Sequence, residues 1–376
     1  MGFPMAHNPS DLLIGIMSGT SLDGVDAVLA DFGKAYPKIL ASQHVSFGFD
    51  LRTELLALNK PGENELERSA LAANRLAQHY AQAVQGLLAH TQKNPHEITA
   101  IGCHGQTVRH RPELGYTLQL NNGALLAELT DIPVVADFRS RDIAAGGQGA
   151  PLVPAFHAAV FHHPSIHRVI VNIGGIANLT HLPSTGAIIG FDCGPGNMLL
   201  DAWCATHLGK AYDENGAWAA SGKVLPELLA ALLQEPFFEQ RPPKSTGRDL
   251  FNSTWLQKFL RTEYAPQDVQ ATLLKLTVIS IWQAVQNNCA GAQEIYICGG
   301  GARNGTLINA LHHAFAKNAV PVALTDALGV AAEHVEALAF AWLARQTLHG
   351  AGGNLPAVTG ARHACILGAI YPALRR

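Results

Sequence analysis

Apolar residues along this chain come in short runs that stop at glycine-rich turns. The first pattern spans residues 12–32, LLIGIMSGTSLDGVDAVLADF, where an apolar run to Met17 meets a small-residue loop at 18–24 and a second run follows at 25–32. It predicts a β-hairpin with a wide tip. Residues 98–108, ITAIGCHGQTV, predict a strand entering a glycine loop, and residues 168–182, RVIVNIGGIANLTHL, predict strand, Gly-Gly turn, strand. Residues 294–315, EIYICGGGARNGTLINALHHAF, predict a strand, a triple-glycine turn and a helix with apolar spacing at Leu307, Ile308 and Leu311. Helical spacing also fills 63–90, 225–233, 269–287 and 335–348. The hairpin followed by strand and glycine loop occurs once in each half. The chain is therefore expected to be α/β, with two similar halves facing each other. A hinge is expected at 144–157, AAGGQGAPLVPAFH, and a surface excursion at 240–249, QRPPKSTGRD.

Composition narrows the function classes. The 376 residues suffice for two or three domains and a large core. The chain is 48% hydrophobic and 15% charged, against a usual charged share of about 25%, which excludes a disordered chain. A net charge of -3 argues against a nucleic-acid partner. No apolar stretch reaches the length of a membrane span, and no charged segment precedes an apolar one as in a secretory leader. Six cysteines without a C-x-x-C pair, several flanked by glycine and apolar residues, are expected to be reduced, buried thiols of a cytosolic protein.

The Walker phosphate loop, the G-x-G-x-x-G turn after a strand, H-E-x-x-H and G-x-S-x-G are all absent from the sequence. What remains is a set of glycine turns and charged residues. In MSGTSLDGVD, residues 17–26, Gly19 and Gly24 let backbone N–H groups approach an anion, and the hydroxyls of Ser18, Thr20 and Ser21 add donors. Asp23 and Asp26 suit a hydrated Mg²⁺ bound partly through phosphate oxygens. The same composition also suits a decorated hairpin turn. NIGGIANLT offers Gly174, Gly175, Asn172 and Asn178, as a phosphate turn or a plain hairpin tip. CGGGARN, with Gly299, Gly300 and Gly301, opens a helix and suits a flat ring, an anion at the helix start, or close helix–sheet packing. Asp192 follows the apolar run AIIGF and precedes Gly-Pro-Gly, which suits a general base; Asp201 sits in an apolar helical run and is more structural in character. ADFRSRDIAAGGQG brings Asp137, Arg139, Arg141 and Asp142 together, as an anion site or an internal ion-pair cluster. CHGQT supplies His104, Gln106 and Thr107 for hydroxyl recognition or as buried structural groups. KSTGRD, residues 244–249, has the look of a helix N-cap, and Glu336 is a lone acid on an apolar helix.

Together, GIMSGTSLDGVD, IGCHGQT, VVADFRSRDIAAGGQGAPLVPAFH, NIGGIANL, GPGNMLLDAW, KSTGRDLFN, CGGGARN and VEALAFAWLA resemble the anhydro-N-acetylmuramic acid kinase family, from about Leu12 to Pro372. The resemblance implies two actin-like, ribonuclease H-like α/β domains flanking a nucleotide cleft, at 1–145 with 351–376 and at 146–350. It implies a bacterial, cytoplasmic enzyme of cell-wall recycling that takes ATP, Mg²⁺ and water. The enzyme opens 1,6-anhydro-N-acetylmuramic acid and phosphorylates O6, as a homodimer and without membrane or nucleic-acid partners. It places ATP on Gly19, Thr20, Ser21, Leu22, Asp23, Gly24, Val25 and Asp26, on Gly174 and Gly175, and on Gly299, Gly300 and Gly301. It makes Asp192 the catalytic residue and gives the sugar to Thr107, Gln119, Arg139, Arg141 and Glu336. Cys193 stands where the family often carries Thr. A kinase for another amino sugar without ring opening, or a sugar-sensing ATP-binding module, are the alternative readings.

Overall fold

The computed structural model describes residues 11–19, 22–34 and 36–374. Its strands in chain order are β1 (Leu12–Met17), β2 (Gly24–Asp31), β3 (Lys38–Ser46), β4 (Ala100–Cys103), β5 (Gln106–Arg111), β6 (Tyr116–Leu120), β7 (Val134–Ala136), β8 (Arg168–Ile173), β9 (Ile176–Leu182), β10 (Ile189–Pro195), β11 (Glu294–Cys298), β12 (Val322–Leu324) and β13 (Ala369–Tyr371). The chain divides into two compact units. One runs through Phe156 and resumes at His334; the other is the continuous segment His157–Glu333.

The sheet of the first unit has the order β13-β7-β4-β1-β2-β3. Strands β1, β2 and β3 form an antiparallel meander, with β4 and then β7 parallel on the far side of β1. The sheet of the second unit has the order β10-β9-β8-β11-β12. Here β8, β9 and β10 form the meander, with β11 and β12 parallel beyond β8. Both units thus share one plan, with strands in the order third, second, first, fourth, fifth. This is the pair of similar α/β halves expected from the repeated hairpins.

Strand alternation sorts the first core. Ile14 and Ile16 of β1 and Val25, Ala27 and Leu29 of β2 pack with Leu76, Tyr80, Val84 and Leu87 of the helix Glu65–Thr91. Those helix residues recur at spacings of three and four, so they line one face. Each such apolar side chain, fully buried, contributes roughly 1.5–3 kcal/mol. The opposite face of the sheet carries the helix Val335–Leu348, which is buried at Val335 and throughout 337–344. A Cβ on Gly15 would overlap the Ala337 carbonyl oxygen, and one on Gly102 would overlap that of Phe340. The helix backbone therefore rests directly on β1 and β4. For this reason Val335–Leu348 belongs to the first unit, whereas the expected boundary at 350 assigned it to the second half.

Residues 98–108 form the expected strand and glycine turn, and add a second strand beyond it. The strand stops at Cys103, Gly105 turns the chain at φ +79°, and β5 begins a separate two-stranded ribbon with β6. In the second unit, Val169, Val171 and Ile173 of β8 share a core with Leu273 and Leu276 of the helix Pro266–Asn288. Leu307, Leu311 and Phe315 of the helix Gly305–Ala316 belong to that core too. All six cysteines are buried and none is in a disulfide, and among the described residues no helix is long and apolar enough to cross a membrane.

Replacing Gly102 with Ala forces the helix Val335–Leu348 off the sheet. The expected cost is about 3 kcal/mol, read as a lower urea midpoint at unchanged slope.

Candidate functional site

In the first unit the 17–26 loop uses its groups unequally. Ser18 is buried, its hydroxyl bonded to Tyr80 Oη (3.1 Å) and to the Gly105 carbonyl (3.1 Å). It is a tie between loop, helix and sheet, not an open donor as expected. Gln106 Nε2 donates to the Gly19 carbonyl (3.1 Å), and Leu22 N donates to the same oxygen at 3.3 Å. Leu22 and Val25 bury their side chains in the core, so they offer a ligand backbone only. Asp23 and Asp26 are exposed, and Asp26 Oδ1 pairs across the strands with His44 Nδ1 at 2.8 Å. Thr20 and Ser21 lie outside the described residues. Among the described residues no cluster of three His, Cys, Asp or Glu converges to cage a metal. Two exposed carboxylates fit a Mg²⁺ that completes its shell with phosphate oxygens and water.

A second group forms around Arg139. Its Nε (3.1 Å) and Nη2 (2.9 Å) both face His104 Nε2, and Nη1 donates to the Gly149 carbonyl at 2.8 Å. Arg139 has no acceptor, so Nε2 of His104 must accept and the ring is neutral. Burial, reinforced by the Arg139 charge, holds the His104 pKa well below its usual value. Burial lowers Arg139 itself to about 10, opposed by the charges of Glu336 and Asp142. The His104 ring packs on Phe340 with centroids 4.6 Å apart, and Glu336 lies one turn earlier on the same helix. Gln119 Nε2 donates to Thr107 Oγ1 at 3.2 Å, joining these two across the β5–β6 ribbon. Arg141 is exposed, and its side chain makes no hydrogen bond or ion pair among the described residues. Four of the five expected sugar residues thus fall into two local groups, and Arg141 stands apart.

Asp142 is fully buried and accepts from Gly149 N (2.7 Å), Asn354 Nδ2 (2.5 Å) and Thr359 Oγ1 (2.7 Å). It binds the 142–149 loop to the C-terminal segment, and Gly149 in turn carries Arg139. Backbone bonds from Gln148 N to Thr359 O (2.8 Å) and from Arg362 N to Ala145 O (2.9 Å) complete the clamp. The four-residue charge cluster read in the sequence is therefore divided: Asp142 organises the loop and Arg139 is presented from it.

In the second unit the glycine turns also differ in kind. A Cβ on Gly299 would overlap Asn172 Oδ1 and one on Gly301 would overlap Ile173, so these two are small for packing. Gly300 would meet only Asn197 Nδ2 at 4.0 Å, and Gly174 only the Ile176 carbonyl at 3.6 Å, which leaves both open to an approaching group. The helix Gly305–Ala316 does not begin at the triple glycine. Asn304 Oδ1 accepts from Leu307 N (3.0 Å) and Asn215 Oδ1 from Gly305 N (2.8 Å), so side chains already occupy donors at the helix start. The anion reading of that helix terminus is thereby corrected. Carbonyls of Gly174 and Gly175 accept from Asn197 N (2.8 Å) and Gly196 N (2.9 Å), fixing this turn against the start of the helix Met198–Leu208.

Asp192 lies on β10 at a bulge between Asp192 and Gly194. Thr246 N donates to its Oδ2 at 2.9 Å, and its own N–H donates to the Lys244 carbonyl at 3.2 Å. Burial raises its pKa to about 6, against smaller opposing effects of the Thr246 N–H and the Lys244 charge. KSTGRD is thus no helix cap: the helix Ser253–Gln257 is capped by Asn252, and residues 244–246 hold the carboxylate instead.

Residues 11–373 match the model of the anhydro-N-acetylmuramic acid kinase family. The chain belongs to that family. Anhydro-N-acetylmuramic acid kinases of Nitrosospira multiformis and Nitrosomonas europaea are 59% and 58% identical to it. Each alignment covers 96% of this chain, with 98% and 99% of the respective relative. A ROK family glucokinase from Streptomyces griseus, solved with glucose and AMPPNP, superposes at a TM-score of 0.42 and 14% identity over 89% of this chain and 99% of that one.

Within this kinase family chain, Asn354 and Thr359 were not singled out from the sequence. They lie in a segment without motif or charge pattern, and their importance comes from Asp142, more than 200 positions earlier.

Two outcomes follow from these contacts. Asp142→Ala strands three buried donors and is expected to cost about 3 kcal/mol, measured by denaturant titration. Asp192 is an acid whose folded pKa, about 6, lies above its unfolded value of 3.8. Its contribution to stability is therefore full below pH 4 and is lost as pH rises through 6. Asp192→Asn should raise the melting temperature at pH 8 and leave it nearly unchanged at pH 4.

Proposed function

We propose that this chain uses ATP and water to convert 1,6-anhydro-N-acetylmuramic acid into N-acetylmuramic acid 6-phosphate and ADP. Family membership supports the substrate and the phosphoryl transfer. The observation that carries the chemistry is Asp192, a carboxylate held by one backbone N–H at a strand bulge and shifted to a pKa near neutrality. A base tuned toward the working pH is both ionised and strong enough to accept a proton in the transition state.

In this reading Asp192 takes a proton from a water whose oxygen bonds to C1 of the sugar. The C1–O6 bond breaks, and O6, keeping its electron pair, attacks the γ-phosphorus of ATP. ADP leaves, and the proton on Asp192 passes to solvent. Arg139 and Glu336 hold polar groups of the sugar, with His104 fixing the guanidinium plane; Thr107 and Gln119 present a hydroxyl and a carboxamide to the sugar hydroxyls. Arg141 contributes only as an exposed charge. The 19–26 loop, the Gly174–Gly175 turn and the 299–301 turn take the nucleotide, with the backbone at Gly174 and Gly300 open to its approach. Asp23 and Asp26 are the carboxylates that would hold a Mg²⁺ beside the phosphates. Bound there, Mg²⁺ neutralises charge on the transferring phosphoryl group. We also read the protein as a cytoplasmic bacterial enzyme of peptidoglycan recycling that works as a homodimer, which light scattering of the full chain would test.

Mass spectrometry of the product formed in ¹⁸O water should show one label at C1 and none in the phosphate. An unlabelled product would favour a kinase acting on an already open amino sugar. Asp192→Asn should lower kcat by about 10²–10⁴-fold. In the unmodified chain kcat/KM should fall as pH drops below about 6, because protonation removes the base.

A further inference from the structure

Behind β10 lies a cavity of about 630 Å³, entirely within the second unit. It is formed by the loop around 238–244, the end of the helix Pro266–Asn288, and Ile189 and Cys193 of β10. Its volume is in the range of small-molecule sites. Several lining groups have no partner of their own: the side chains of Gln240, Arg241, Gln283 and Asn287 make no hydrogen bond or ion pair among the described residues. Lys244 Nζ donates to the carbonyls of Phe237 (3.0 Å) and Phe238 (3.3 Å), so its charge is held in place without a carboxylate bound to it. The lining holds two cations, Arg241 and Lys244, against one acid, Glu239, and Phe238 supplies an apolar wall. Carboxamides, a cationic pair and an aromatic face are the chemistry that takes a hexose carrying one phosphate.

We propose that this cavity is an effector site for a sugar phosphate, and that its occupancy adjusts Asp192. The path is short. Lys244 lines the cavity, and its carbonyl accepts from Asp192 N; two residues on, Thr246 N donates to Asp192 Oδ2. On the other side, Phe238 and Ser280 of the lining press on Gly194. A Cβ there would lie 2.7 Å from Phe238 Cε1 and 3.3 Å from Ser280, and the residue stands at φ +149°. The bulge that turns Asp192 therefore touches the cavity wall on both flanks. An anion drawn to Arg241 and Lys244 pulls on the segment that supplies the Thr246 N–H. The coupling rests on the reading of Asp192 as the base; occupancy of the cavity does not.

The test uses the full chain, N-acetylglucosamine 6-phosphate as probe, and inorganic phosphate and N-acetylglucosamine as separate arms. Calorimetry on the unmodified chain and on Arg241→Glu and Gln283→Ala, run with the anhydro-sugar saturating, should show binding of the sugar phosphate that Arg241→Glu weakens tenfold or more. Basal kcat and KM of both variants should stay unchanged. The probe should inhibit without competing against the anhydro-sugar and should shift the acid limb of the pH profile; Arg241→Glu should abolish that shift. Binding by inorganic phosphate alone with equal affinity would overturn the sugar component. Purely competitive inhibition untouched by Arg241→Glu, or no binding at millimolar probe, would overturn the site. If Asp192→Asn keeps full activity while Arg241-dependent binding persists, the catalytic reading fails and the site stands.

Discussion

The first unit depends on how closely the helix Val335–Leu348 lies on its sheet. Gly15 and Gly102 remove the two side chains that would hold it away, so the helix backbone meets β1 and β4 directly. That depth sets where Phe340 meets the His104 ring and where Glu336, one turn back, exerts its charge on Arg139. A longer helix–sheet distance would leave His104 without its packing surface and Arg139 without its acidic counterpart. The constraint is steric, and its result is electrostatic: a cation and a carboxylate are held in a poorly hydrated place where their interaction is strong.

Asp192 is governed by a different balance. Burial beside the 244–246 segment works against the charged form, and one N–H bond only partly offsets it. Asp142 shows the contrast. It is the more deeply buried of the two carboxylates, yet three donors satisfy it, and its place is architectural. The number of hydrogen bonds, more than burial, separates a group built to hold the fold from one suited to exchange protons.

The fold was largely legible in the sequence because the hairpins at 12–32 and 168–182 are apolar runs broken by glycine turns, and the helices carry spacings of three and four. The β5–β6 ribbon after Gly105 was not, since QTVRHR alternates no apolar face that marks it as a strand. Asp192 could be found from its place after AIIGF and before Gly-Pro-Gly. Its support from Thr246 could not, because a backbone N–H carries no side-chain signature. Likewise Gly299, Gly300 and Gly301 look alike in the sequence; only the neighbours Asn172 and Ile173 reveal that two of them are small to allow packing and one is open.

The two units also differ in how the chain passes through them. The second is one continuous stretch, His157–Glu333, whereas the first is assembled from segments on either side of it. During synthesis the second unit can close its sheet as soon as its last strand emerges. The first must wait for the helix that covers it, for β13 to pair with β7, and for Asn354 and Thr359 to reach Asp142. Arg139 is therefore seated only when nearly the whole chain has left the ribosome, so a prematurely terminated product carries Asp192 in a finished unit beside an unfinished one.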